Sequence, residues 1–287
     1  MRRTAQLSAD ARSIVAQIAP VRRVLWRTLV VFAIVGSIAG VLGRNVAVLL
    51  VQLGVLGWLW VHVGRSLRNP RQRIVLRGVR ARHFAKALAV LVLVLLAVAA
   101  LLAPHTWLRW GWWEFLGGTG NVILGTTARR RHWVSHLVLP GLILIPLLIS
   151  LCLFALREER TFRRGDEASP LGERLWRAVL FGLAHLVMGI PVGAALALGV
   201  GGFGFSQIYR KRWRESRSRL QSVLESTRVH LAYNLILVSL VAAMLVGTAA
   251  GARASPAQRS GSQGALRRRS GRNGPLRMTY GLRRQSG

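Results

Sequence analysis

Apolar and polar residues are segregated along this chain in long blocks, with short arginine-rich connectors between runs of about twenty apolar positions. A run of that length makes a helix of about 30 Å, the thickness of a bilayer's hydrocarbon core. The pattern predicts spans at about Val24–Gly43, Val46–Gly64, Ala85–Ala103 and Trp133–Leu156. The next apolar stretch, 171–209, would make one helix of roughly 58 Å, too long for a single crossing. Gly189-Ile190-Pro191 offers a break, because glycine loosens and proline interrupts the helical ladder. The stretch therefore divides into 171–189 and 191–209, and a last span follows at about Val229–Ala250. The expected fold is an all-α, polytopic transmembrane helical bundle of about seven spans.

Charge refines the picture. The 287 residues are 52% hydrophobic with a mean hydropathy of +0.38, yet the formal charge is +32. Such values coexist when the charge is confined to loops. The loop 65–86 carries eight basic residues and no acid. Under the positive-inside rule the N-terminal segment 1–23 and the loops 65–86, 157–175 and 206–228 lie in the cytoplasm, which fits seven crossings of the cell membrane. A six-span alternative moves the C-terminal tail inside but strands the basic 210–228 loop outside. Basic loops beside apolar spans suit anionic headgroups, so the lipid bilayer is the expected partner and nucleic acid is not. The connector bearing Trp107, Trp110, Trp112, Trp113 and Trp133 is expected at headgroup depth. The first span reads as a retained anchor, since no small-residue cleavage site follows it. Residues 24–251 form the membrane domain. The tail 252–287, rich in Arg, Gly and Ser, is expected to be disordered. The lone Cys152 excludes an internal disulfide and a thiolate zinc cluster.

Candidate chemistry lies in three segments. Glu158 and Glu159 directly follow the fourth apolar run, and Arg163 stands four residues after Glu159, on the same helix side and in the favourable order for an ion pair. That pair would steady the helix end and leave Glu158 free to act as a base. Phe181 and His185 share a helix face within the fifth span. His230 and Asn234 open the seventh span at the same spacing, two side chains able to donate hydrogen bonds one turn apart. Each segment alone reads equally well as a helix-end ion pair, a carbonyl-bonded histidine or inter-helix polar contacts.

Taken in order, Glu-Glu-x-x-x-Arg, Phe-x-x-x-His and His-x-x-x-Asn on successive spans resemble the signature of the CAAX-protease and bacteriocin-processing (CPBP) family of intramembrane endopeptidases, with a core at about 130–250. The resemblance implies peptide-bond hydrolysis of a membrane-associated peptide or protein. Glu158, supported by His185, would activate water; His230 and Asn234 would form an oxyanion hole; Glu159, Arg163 and Phe181 would support the site structurally. No cofactor is expected. The zinc alternative would take Glu158, His185 and His230 as ligands, but the chain has no H-E-x-x-H, in which one helix supplies two histidines and a base. A non-catalytic membrane immunity or scaffold protein of the same fold is the other alternative. The family's eighth helix has no counterpart here, its place being taken by the polar tail. Sharing one site requires Glu158 and His230 to lie at the same membrane face, which itself requires 171–209 to cross twice. Gly199-Val-Gly-Gly-Phe-Gly204 fits a dinucleotide fingerprint but lies in an apolar helix with no preceding strand, so close helix packing is expected instead.

Overall fold

The computed structural model describes residues 26, 30, 33–34, 36–116, 122 and 133–254, with side chains omitted at a few of these. These residues are helical, and no strand occurs among them. Helix α1 (Arg44–Leu67) is joined to the short α2 (Pro70–Arg77), and α3 (Ala81–Leu102) follows. A 3-10 turn at Thr106–Arg109 and the one-turn α4 (Trp112–Phe115) lead on to α5 (Trp133–Phe162). The rest comprises α6 (Leu171–Ala184), a 3-10 turn at His185–Met188, α7 (Val192–Ser216) and α8 (Arg219–Ala254).

Five of these helices contain segments long and apolar enough to cross a membrane: Val46–Leu67, Ala81–Leu102, Gly141–Phe162, Val192–Ser216 and Arg219–Met244. They match the second, third, fourth, sixth and seventh expected spans, with ends shifted by several residues. The first expected span is described only in part, and segment 1–23 and the tail beyond Ala254 lie outside the described residues. The expected fifth span is different in kind. It consists of the 14-residue α6 and its 3-10 extension, which together rise about 29 Å.

The break between the fifth and sixth spans falls where the sequence places it. Gly189 takes φ 76°, a left-handed conformation that suits a residue without Cβ, and Pro191 caps α7. The chain then doubles back, so that Gly182 of α6 lies against Ala195 and Gly199 of α7, and Gly202 lies against Phe181 and Ala178. A Cβ on Gly182 would run into the Ala195 carbonyl oxygen. The fingerprint-like glycines are thus a packing surface: Gly199 and Gly202 face α6, and Gly201 and Gly204 face Val90 and Val94 of α3.

The tryptophan connector does two jobs. Trp107 and Trp110 are exposed, as expected of rings at headgroup depth, but Trp112 and Trp113 are buried. Trp112 donates its indole N–H to the Leu186 carbonyl at 2.8 Å, and Trp113 lies against Gly189. These two rings brace the α6–α7 bend from within the protein. The side chain of Trp133 is outside the described residues.

Helix α8 starts ten residues before the expected span, at Arg219. The segment 219–228 reads as loop because it is polar. In the fold Ser222, Glu225, Ser226 and Thr227 are buried, and partners on other helices and on α8 itself offset the cost of removing them from water.

Candidate functional site

The end of α5 enters the bundle between α6, α7 and α8, and adjacent residues there have different surroundings. Successive helical positions are rotated by about 100°, so Glu158 and Glu159 cannot share a face. Glu159 points into the protein and its side chain is fully buried; that of Glu158 retains 31% of its exposure.

Glu159 is held from three sides. His230 of α8 places Nδ1 2.9 Å from Oε1. Ser226, one turn before His230 on the same face, donates its hydroxyl to Oε2 and also lies 3.1 Å from the Phe205 carbonyl. Arg163 sets Nε 3.6 Å from Oε2, the expected i,i+4 pair. The Arg163 guanidinium is itself fully buried and lies over the Phe181 ring at 5.0 Å, a cation–π contact. Phe181 is thus the platform on which the buried cation rests.

His230 connects the two carboxylates. Nδ1 faces Glu159, and Nε2 lies 3.4 Å from Glu158 Oε2. The ring stacks on Phe205 at 4.4 Å and meets Phe181 edge-on at 5.6 Å, which fixes its plane. Because Glu159 accepts from Ser226 and faces the Arg163 charge as a carboxylate, Nδ1 of His230 carries a proton and donates it. Nε2 then faces Glu158 either as a lone pair or as a second N–H. Oε2 of Glu158 is buried and makes no hydrogen bond among the described residues.

His185 begins the 3-10 turn. Its Nδ1 lies 2.8 Å from the Phe181 carbonyl, and its ring meets Phe181 at 4.9 Å. A carbonyl only accepts, so Nδ1 bears the hydrogen and Nε2 of the neutral ring is left as an acceptor. The motif resemblance pairs His185 with Glu158; the imidazole beside Glu158 is that of His230, while His185 packs against Phe181. Asn234 is half-buried one turn along α8 from His230. Among the described residues no group of three or more His, Cys, Asp or Glu side chains is gathered to hold a metal ion.

Ser226 and Phe205 belong to the site and carry no motif. Ser226 is four residues before His230, so it shares that residue's face, but it sits in the polar stretch read as loop. Nothing along the chain signals Phe205.

The α5–α6 loop ties the site to the helix ends. Asp166 accepts from Ser206 at 2.6 Å and from Arg177 at 3.3 Å. Burial pushes its pKa up, and these partners only partly offset that. For Glu167 burial acts in the same direction, but its own backbone N–H, the Tyr209 hydroxyl and Arg219 outweigh it and hold the carboxyl below its ordinary range. No family model, curated protein or solved structure matches the chain.

Proposed function

We propose that the chain is an intramembrane endopeptidase that hydrolyses a peptide bond with water activated by Glu158. The observation that carries this reading is the His230 imidazole held between a buried, fully partnered carboxylate and a second carboxylate that keeps access to solvent. Glu159 and Arg163 fix His230. Glu158 takes the proton of an incoming water as the hydroxide adds to the scissile carbonyl, and passes it to the leaving amine as the C–N bond breaks. The oxyanion forms near Asn234, whose amide donates an N–H, and near His230, whose Nε2–H turns to it once Glu158 has taken the water proton; a donor of this kind contributes about 3–4 kcal/mol. The Nε2 lone pair of His185 offers a further acceptor for orienting water. The three motifs resemble those of the CPBP endopeptidases, and the proposed substrate is a membrane-associated peptide or protein.

The same reading favours seven crossings with the N-terminus in the cytoplasm of a cell-membrane protein. Glu158 is near the end of α5 and His230 near the start of α8, and two intervening crossings return the chain to the same face. The rise of about 29 Å through α6 and its 3-10 turn is sufficient for one of them.

Purified protein tests the chemistry. Glu158→Gln and His185→Ala are each expected to abolish cleavage of proteins in a detergent-solubilised membrane fraction while the helices stay folded, and wild-type cleavage is expected to survive strong chelation. Full activity in either variant would remove that residue from the mechanism. Activity lost on chelation and restored by zinc alone would replace the mechanism with a metal-dependent one.

A further inference from the structure

A second polar cluster lies away from Glu158, at the start of α3, the end of α7 and the start of α8. Its centre is Glu225, almost fully buried. His83 accepts the Arg80 backbone N–H at Nδ1, so its Nε2–H is directed to Glu225 at 3.2 Å. Lys86 donates to the other carboxylate oxygen at 2.8 Å, and Arg82 lies at 3.6 Å. Beside this cluster opens a cavity of about 530 Å³ whose walls include Arg82, Lys86, Lys211, Arg212, Glu215 and Glu225.

Several observations give this cavity a ligand. Four cations face two carboxylates. Glu225 is committed to the groups that surround it, and Glu215 is paired with Arg212 at 3.2 Å. Lys211 has no acidic partner among the described residues and is exposed. The chain has 41 lysines and arginines, of which only Lys86 and Lys211 are lysine, and both line this one cavity. A compact ammonium serves a tetrahedral phosphate as a point charge. The surroundings are amphiphilic as well. Ala89, Leu93 and Leu96 continue the Lys86 face along α3, and Val200 lies along α7 from Lys211; all are exposed on helices apolar enough to cross a membrane. A cationic cavity at the ends of such helices, continuous with a lipid-facing surface, matches a phospholipid in both its parts.

We infer that this cavity binds the phosphate of an anionic phospholipid headgroup, with Lys211 as the principal contact, Lys86 shared between the phosphate and Glu225, and the acyl chains lying along α3 and α7. The site is separate from Glu158 and does not depend on proteolysis.

Native mass spectrometry of the purified full-length protein tests this, with titrations of phosphatidylglycerol, of phosphatidylcholine with the same acyl chains, and of inorganic phosphate. Phosphatidylglycerol is expected to bind at least about tenfold more tightly than phosphatidylcholine, with about a fivefold loss for each lysine removed. Lys86→Gln/Lys211→Gln is expected to erase the preference. Lys211→Gln alone removes no ion pair from the fold, so its loss of binding cannot be ascribed to unfolding. Equal binding of the two lipids, or an undiminished preference in the double variant, would overturn the inference. Displacement of the lipid by equimolar inorganic phosphate would also overturn it, by showing that the cavity takes free phosphate.

Discussion

Glu159 is surrounded by Arg163, Ser226 and His230, and its loss would leave a buried guanidinium and a buried imidazole without their shared acceptor. Breaking a buried ion pair from one side costs about 3–5 kcal/mol. Glu159→Ala is therefore expected to lower the unfolding temperature sharply in detergent, whereas Glu158→Gln should leave it nearly unchanged. A Glu159→Ala protein as stable as wild type would show that this carboxylate does not hold the site together. At this scale the sequence was informative about pairs on one helix and silent about pairs between helices. The i,i+4 spacing foretells the Glu159–Arg163 contact. No spacing foretells that His230, 71 positions beyond Glu159, faces both glutamates, or that Phe205 supports its ring. The motif resemblance pairs His185 with Glu158, and in the fold His185 is held by its own helix through the Phe181 carbonyl.

Between elements, the α6–α7 hairpin sets how far His185 and Phe181 lie from α8. Gly182 allows this approach by presenting bare backbone to α7. Gly182→Ala is expected to cost about 1–3 kcal/mol, because backbone rather than a flexible side chain must yield. Gly141→Ala on α5, where a Cβ meets nothing within 4 Å, is the matched control and is expected to be neutral or slightly stabilising. Equal melting temperatures for the two variants would remove close packing as the reason for Gly182. The helices themselves were legible because hydrophobic runs, prolines and glycines act locally, as at Gly189 and Pro191. The start of α8 was not. Ser226 and Glu225 look like loop residues until Glu159 and His83 are placed beside them, and those partners come from distant parts of the chain.

Across the whole molecule, the account requires the Glu158 end of α5 and the start of α8 to share one membrane face with the loop between α1 and α3. A Ser218→Cys reporter in a Cys152→Ala background is expected to react with a membrane-impermeant thiol reagent from the cytoplasmic side only. Reaction from the opposite side only would contradict the seven-crossing arrangement. The apolar blocks made the five long apolar helices readable in outline, since bilayer thickness acts on composition. The polar centre was readable only as three spaced motifs, and its assembly rests on how the helices pack. The central claim is that Glu158 makes this assembly a peptidase. N-terminal mass spectrometry of membrane proteins from cells expressing wild type or Glu158→Gln at equal levels tests it most directly. The account expects a set of new N-termini in the wild-type membranes that disappears with Glu158→Gln. Identical N-termini in both, with wild-type protein folded and inserted, would contradict it.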